Sequence, residues 1–251
     1  TDSPEQLVIA RQGAPAVVGI GIGENFVASD VAALLPVTRN FIFLEEGDVA
    51  LVERKQVTIW NEQGERVERE VRESALDADA AERGEFRHYM LKEIYEQAAA
   101  VGRTRDGRIV DGRVLEASFG PLANDALDKT KGVHIVACGT SFHAGLVARY
   151  WIEALCGLPC TVEIASEYRY RSPVVPENTL FVTISQSGET ADSVAALGAA
   201  KEAGYISSLT IFNVPESSMV RESDLTMMTH AGPEIGVAST KAFTTQLAAL
   251  A

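Results

Sequence analysis

The second half of the chain alternates short apolar runs with segments of helical spacing. The apolar runs predict strands at 133–138, 161–165, 179–184, 208–213 and 224–229. The intervening segments predict helices at 142–156, near Glu167, at 189–203 and from Ser239 to the last residue. Strands that alternate with helices of this length pair in parallel through right-handed crossovers. We therefore predict an α/β fold in which helices flank a parallel sheet.

The first part of the chain has a different pattern, which is typical of antiparallel sheet. Runs rich in apolar and β-branched residues predict strands at 16–20, 39–44, 48–60 and 66–71. The last two strands flank Asn61–Gly64, a turn signal that predicts a hairpin. This part is therefore expected to form a β-rich unit of its own.

A predicted linker and two predicted helices lie between these parts. The stretch 73–84 is charged and rich in alanine, and it has no apolar periodicity, so we interpret it as a linker. Apolar residues at helical spacing follow it and predict an amphipathic helix with Lys92 and Glu93 on its outer side. Its inner face would be formed by Phe86, Tyr89, Met90 and Ile94. A second helix is predicted at 114–129.

Charge and cysteine content exclude several classes of function. Acidic residues outnumber basic ones by 35 to 22, which gives the 251-residue chain a net charge of −13. This charge repels nucleic acids and anionic membranes, so we expect neither as a partner. No apolar stretch has the length of a bilayer span, and residues 1–6 do not resemble a signal peptide. Cys138, Cys156 and Cys160 lack zinc-site or disulfide spacing. We expect a cytoplasmic protein without metal or other cofactor.

Two turns rich in hydroxyl groups, Cys138–Ser141 and Ser185–Thr190, each follow a predicted strand and precede a predicted helix. The first backbone N–H groups of a helix lack partners within the helix and lie at the positive end of its dipole, so they bind phosphate well. Serine and threonine add uncharged donors, and Gly188 lets the backbone approach a ligand closely. Because parallel strands end at one edge of the sheet, the two turns predict a pocket for a small phosphorylated molecule.

Both turns also have a simpler interpretation as ordinary helix caps. In the second turn, Ser187 at the cap position and Thr190 three residues later resemble a capping arrangement. The first turn is not a hydrolase nucleophile elbow, because His143 stands where that motif requires glycine. Cys138 ends an apolar strand and is interpreted as a structural thiol. Gly19–Gly23 lacks the dinucleotide fingerprint and is interpreted as a glycine-rich loop that lets backbones pass closely.

Several motifs, in order along the chain, closely resemble the family of glutamine–fructose-6-phosphate aminotransferases. The two hydroxyl turns and Glu234–Gln246 are similar to the isomerase half of that family. Three shorter motifs are similar to its glutaminase domain: Gly23–Phe26, Ala28–Asp30 and Glu45–Asp48. The resemblance covers essentially the whole chain. It implies the end of an N-terminal-nucleophile amidotransferase domain at 1–76, a linker at 77–88, and a first sugar isomerase (SIS) domain at 89–251, truncated at its end.

The resemblance also implies which residues bind substrate. In the family, serine- and threonine-rich turns hold the phosphate and sugar of fructose 6-phosphate. Carried over by motif, the binding residues are Thr140, Ser141, Ser185, Gln186, Ser187, Thr190, Val237 and Ser239. Pro233 stands where the family usually has threonine, which affects only the shape of the loop that carries the last two residues.

The full-length reaction implied by the resemblance converts fructose 6-phosphate and glutamine to glucosamine 6-phosphate and glutamate, in amino-sugar biosynthesis. The family suggests a homodimer. Both ends of the chain look cut, and the family's nucleophilic cysteine and isomerase acid–base residues belong to parts that are not in this sequence. We therefore expect the chain alone to bind sugar phosphate but to be inactive, with no catalytic residue of its own and with glutamine bound only by the full-length protein.

Two alternatives differ from this interpretation in class. One is a non-catalytic SIS-domain regulator that binds a sugar phosphate. The other is a glutamine-dependent amidotransferase that acts on a different acceptor. A regulator would more naturally carry a basic DNA-binding module in the first 75 residues, and the acidic composition disfavours that. The hydroxyl turns distinguish the aminotransferase from other amidotransferases.

Overall fold

The computed structural model describes residues 3–74 and 83–251. The chain divides into two units, Thr1–Glu82 and Arg83–Ala251. Half of the predicted linker 77–88, residues 77–82, lies outside the described residues. The domain bounds expected from the sequence, 1–76, 77–88 and 89–251, therefore stay a prediction.

The first unit contains two antiparallel sheets of four strands, in the orders β1-β5-β6-β7 and β3-β2-β4-β8. Its strands are β1 Gln6–Ala10, β2 Val17–Ile20, β3 Asn25–Ala28, β4 Asn40–Phe43, β5 Val49–Glu53, β6 Val57–Trp60, β7 Arg66–Val67 and β8 Val71–Glu73. One core cluster combines residues from both sheets: Val18, Ile42, Leu44, Ala50, Val52 and Ile59. The antiparallel, β-rich character predicted for this part is confirmed.

The strands predicted at 48–60 and 66–71 are each divided in the structure, and the second becomes β7 and β8, which lie in different sheets. The strand predicted at 48–60 is two strands, because the chain reverses after Glu53 and the N–H of Glu53 donates to the carbonyl oxygen of Gln56 at 2.9 Å. This reversal contains only charged and polar residues, without the glycine, proline or asparagine that marks a turn. The glycine-rich segment is a hairpin, and a Cβ on Gly19 would lie 2.8 Å from Thr38 Cγ2. Gly19 therefore leaves room for neighbouring side chains rather than for a passing backbone.

The second unit begins with a helix and a short ribbon. Helix α1 spans Tyr89–Arg105, strands β9 Ile109–Val110 and β10 Arg113–Val114 pair antiparallel, and α2 spans Ala123–Lys129. The single helix predicted at 114–129 is therefore wrong in its first half. Gly120, at φ 121°, and Pro121 break the helical pattern there, and both are breaker signals that the sequence shows.

A five-stranded parallel sheet forms the centre of the second unit, in the order β12-β11-β13-β14-β15. Its strands are β11 Gly132–Ala137, β12 Cys160–Ile164, β13 Thr179–Ile184, β14 Ser207–Phe212 and β15 Leu225–Met228. Its further helices are α3 Gly139–Trp151, α4 Ala165–Tyr168, α5 Ala191–Ala200, α6 Ser218–Glu222 and α7 Lys241–Leu250. The predicted α/β architecture is confirmed.

The central strands bury both faces, as parallel strands between two helical layers do. Ile135 and Val182 pack in a cluster with residues of α2, α3 and α7. Val136 and Phe181, one position away along the same strands, pack in a second cluster with residues of α4, α5 and α6. Successive side chains of a strand point to opposite faces, so a continuous apolar run supplies both layers.

Helix α1 is oriented opposite to the prediction. Glu93, expected on its outer side, is 2% exposed, whereas Tyr89, Met90 and Ile94 are exposed. The apolar periodicity is real, but α1 turns its glutamate and small residues toward α7 and the loop before it. In the described part of the chain, no helix is both long and apolar enough to cross a bilayer.

Two helical glycines provide a matched test of this packing. A Cβ on Gly198 in α5 would meet open space, so Gly198→Ala is expected to raise the free energy of unfolding by about 0.5–1 kcal/mol. A Cβ on Gly145 in α3 would lie 2.9 Å from buried Ile135 Cγ2, so Gly145→Ala is expected to lower it by about 1–3 kcal/mol. Urea unfolding measures both. Equal stability of the two variants would show that α3 does not press on the sheet as described.

Candidate functional site

The strand order creates a crevice between β11 and β13. After β11 the chain crosses through α3 to β12 on one side, and after β13 it crosses through α5 to β14 on the other side. The two connecting helices lie in opposite layers. The loops at the carboxyl ends of two adjacent strands therefore diverge, and ligands of open α/β sheets bind at such a point.

A cavity of about 400 Å³ lies at this point. All eight residues expected to bind substrate line it: Thr140, Ser141, Ser185, Gln186, Ser187, Thr190, Val237 and Ser239. Cys138, Gly139, Ile184 and Ala238 complete the lining. The structure thus brings together three segments that are far apart in the sequence, while the binding role of their residues stays a prediction.

Local hydrogen bonds shape the second hydroxyl turn, which follows β13. The N–H of Gly188 donates to Ser185 Oγ at 2.9 Å, and the N–H of Glu189 donates to Ser187 Oγ at 3.2 Å. Ser185 is buried and its Oγ lies 3.5 Å from Thr190 Oγ1, so this hydroxyl fixes the turn from beneath. Ser187 and Thr190 are only half-buried and remain open to the cavity.

Gly188 is required in this turn for two reasons. Its φ of 66° is in the left-handed region, which disfavours side chains. A Cβ at this position would also collide with the side chain of Ser217, 2.5 Å from its Cβ. The absence of a side chain at Gly188 therefore lets the turn pack closely against Ser217, the residue just before α6.

The helix-cap interpretation of the two turns is not what the structure shows. Helix α3 begins after extended Cys138 and α5 begins after Thr190, and among the described residues neither start has a side-chain cap hydrogen bond. The first residues of α3, Gly139 to Ser141, line the cavity, and so does Thr190, the residue directly before α5. The hydroxyls of Ser185 and Ser187 therefore shape the turn rather than cap a helix, and each keeps its own O–H as a donor.

The third wall of the cavity is the loop 234–240, which leads into α7. Glu234 Oε2 accepts hydrogen bonds from the N–H groups of Ala242 at 2.8 Å and Thr240 at 3.2 Å, which caps α7. Ser239 Oγ is buried at the cavity without a hydrogen-bond partner among the described residues. A buried hydroxyl without a partner is costly, so this group is suited to a ligand.

The loop depends on Glu93, which the sequence pattern did not indicate. Its Oε1 accepts hydrogen bonds from the N–H groups of Ile235 at 2.6 Å and Gly236 at 2.9 Å. A glutamate beside apolar helical positions gives no signal of such a role, because helical periodicity placed it on the solvent side. The need for glycine at Gly236 is the nearest available clue.

The cavity offers neutral donors and no acid–base side chain. Among the described residues that line it, none carries a carboxylate, ammonium, guanidinium or imidazole group. An anion bound here would be held by hydroxyls, amides and two helix dipoles. In the described part of the chain, no group of three or more histidine, cysteine or acidic residues could hold a metal ion. The site is therefore suited to binding and orienting an anionic ligand.

Titratable groups cluster instead toward the amino ends of the same strands. His134 Nδ1 lies 2.7 Å from the hydroxyl of Tyr205, and His134 Nε2 lies 3.0 Å from Glu163 Oε1, which also pairs with Arg171. Burial lowers the pKa of His134, although Glu163 partly opposes this effect. Because these groups contact one another and none of them lines the cavity, we assign them to the structure rather than to the candidate site.

The chain is similar to several known proteins. The sequence profile of the SIS domain matches residues 126–251. The chain is 60% identical over 247 residues to glutamine–fructose-6-phosphate aminotransferase (isomerizing) of Pseudomonas putida, covering 98% of this chain and 40% of that protein. For the protein of the same name from Idiomarina loihiensis, identity is 61% over 250 residues, with 100% and 41% coverage. The chain thus spans about two fifths of these relatives.

A solved structure supports the same relationship. The C-terminal domain of glucosamine-fructose-6-phosphate aminotransferase from Francisella tularensis aligns with a TM-score of 0.66 at 56% identity. The alignment covers 68% of this chain and 48% of that one. A phosphosugar isomerase, so described as putative, from Silicibacter pomeroyi aligns with a TM-score of 0.55 at 29% identity, covering 64% and 49%.

The close contact beneath the second turn can be tested by comparing two glycines. Gly188 and Gly139 both have left-handed φ values, 66° and 56°. A Cβ added at Gly188 would clash with Ser217, whereas a Cβ added at Gly139 would have no neighbour within 4 Å. Gly188→Ala is therefore expected to lower the free energy of unfolding by about 1–3 kcal/mol more than Gly139→Ala. Thermal and urea unfolding provide the measurement. Equal losses would mean that Ser217 does not support the turn.

Proposed function

Because the chain belongs to the SIS domain family, we propose that its cavity binds a phosphorylated sugar, and that this sugar is fructose 6-phosphate or glucosamine 6-phosphate. The observation that carries the proposal is the convergence of two helix starts and their hydroxyl turns on one cavity without charged side chains. Relatives at 60% identity that are named for fructose 6-phosphate support the choice of sugar.

The phosphate is proposed to lie between the starts of α3 and α5. Backbone N–H groups there would donate to its oxygens, and the hydroxyls of Ser141, Ser187 and Thr190 would add further donors. Hydrogen bonds to a charged group contribute about 1.5–3 kcal/mol each, so a few of them hold a phosphate without arginine or lysine. Ser185 would act mainly by shaping the turn, since its hydroxyl already accepts from Gly188.

The sugar is proposed to extend from the phosphate toward the third loop. Gln186 offers an amide that both donates and accepts, and Ser239 offers the buried hydroxyl that lacks a protein partner. Val237 is fully exposed at the cavity rim and would cover an apolar edge of the sugar. This arrangement gives the phosphate and the sugar separate sets of contacts.

We further propose that the chain is part of a glutamine-dependent fructose-6-phosphate aminotransferase that makes glucosamine 6-phosphate. Identity extends through both units, which supports the assignment of the antiparallel unit to an N-terminal-nucleophile amidotransferase domain. Glutamine would bind in the full-length protein, which is proposed to be a cytoplasmic homodimer. The cavity lining without acid–base groups supports the expectation that this portion binds substrate while other portions perform both half-reactions.

A non-catalytic sugar-phosphate regulator is the second candidate, and the same lining without acid–base groups favours it. Identity to aminotransferases over 247 or more residues weighs against it, because the antiparallel unit is included in the match. Glucosamine 6-phosphate formation by a longer chain that contains this sequence would separate the two. A regulator would bind the sugar without forming product from glutamine.

Binding can be tested on the chain itself with fructose 6-phosphate. Ser187→Ala and Thr190→Ala are each expected to weaken affinity about ten- to hundredfold, because each removes a donor to a charged phosphate. Isothermal calorimetry measures the dissociation constants. Thr161→Ala is the matched control, since Thr161 is exposed at the amino end of β12 and outside the cavity. If all three variants bound like the wild type, the assigned phosphate site would be wrong.

A further inference from the structure

The loop 234–240 has no helix or strand of its own, yet it forms one wall of the candidate site. Its backbone is held from outside by Glu93, a residue of α1 that does not line the cavity. Glu93 is 2% exposed, so its carboxylate is removed from water and depends on the partners that surround it. Because burial of a carboxylate is unfavourable unless it is hydrogen-bonded, the contacts of Glu93 with the loop have to stabilise it.

Each carboxylate oxygen of Glu93 has its own part of the loop. Oε1 accepts from the two consecutive N–H groups of Ile235 and Gly236, at 2.6 and 2.9 Å. Oε2 lies 3.3 Å from Thr240 Oγ1, whose single proton is shared between Glu93 and Glu234. One buried side chain therefore holds both ends of the segment that presents Val237 and Ser239.

Gly236 fits closely against this carboxylate. A Cβ on Gly236 would lie 2.5 Å from Glu93 Oε2, nearer than any ordinary contact allows. A side chain at this position would therefore displace either the Glu93 carboxylate or the loop backbone. Glu93 and Gly236 form one contact that can be disturbed from either side.

We propose that Glu93 is a positioning residue for the sugar-phosphate site. It fixes the backbone of the loop 234–240, so that Val237 and Ser239 face the sugar rather than the phosphate. The inference rests on the proposed function for the identity of the ligand, but the anchoring of the loop can be measured without one. Glu93 lies outside residues 126–251, so α1 is part of the binding unit although the SIS domain profile does not include it.

The test uses the full chain with Glu93→Gln, which keeps the shape but removes the charge and one acceptor oxygen. Hydrogen exchange of backbone amides in 234–240 is expected to become about tenfold faster, while exchange in 185–190 stays unchanged. Affinity for fructose 6-phosphate should fall about tenfold, and affinity for inorganic phosphate should change less than about twofold. Glu153→Gln, on an exposed pair with Arg149, is the matched control and should change none of these values.

The two ligands and the exchange data separate the possible results. The proposal would be overturned if amide exchange in the loop stayed unchanged, or if the affinities for fructose 6-phosphate and inorganic phosphate fell equally. A glutamate that only stabilised the fold would give one of these two results. If the wild type bound no sugar phosphate, the proposed function would fail, and the exchange data alone would still decide whether Glu93 anchors the loop. If Glu93→Gln failed to fold, Gly236→Ala would test the same contact, with Gly198→Ala as its matched control.

Discussion

Two helix starts with uncapped backbone N–H groups are the feature around which the candidate site is arranged. They converge because β11 and β13 are neighbours whose connecting helices leave to opposite faces of the sheet. The strand order alone brings these two helix starts together, so no particular side chain is needed for it. The topology fixes the position of the cavity. Its lining and shape then depend on the hydroxyl turns, on the packing of Gly188 against Ser217 and on the third loop.

The acidic character of the chain is compatible with an anionic ligand because the cavity excludes charged side chains. A net charge of −13 would oppose a phosphate if the acidic groups faced the site. The carboxylates of Glu93 and Glu234, which hold the third loop, accept hydrogen bonds from loop and helix N–H groups. The carboxylate of Glu189, in the second turn, accepts one from the N–H of Ser218. Neutral donors also make the site selective for shape, because a hydroxyl or amide must be aimed correctly while a lysine acts at longer range.

The parts predictable from the sequence were those whose determinants are local. The turn that contains Ser187 and Thr190, the preceding apolar strand and the following helix lie within one short stretch, so composition and spacing identified all three. The role of Glu93 could not be found in this way, because its partner Ile235 is 142 positions away. The helix predicted at 114–129 failed for a different reason, since periodicity was given more weight than the breaker pair Gly120–Pro121.

The position of Glu93 in α1 also matters for moving this sheet and its loops into another protein. A profile built from relatives marks what recurs among them, and here it starts at residue 126. A mechanical boundary drawn through the contacts would start earlier, at α1. Residues 126–251 contain both hydroxyl turns and the loop 234–240 but not Glu93, so a graft of that segment alone onto another scaffold would lack the hydrogen bonds that Glu93 makes to the loop. In such a graft, α1 would have to be included, or another buried acceptor would have to replace Glu93 beside Ile235 and Gly236.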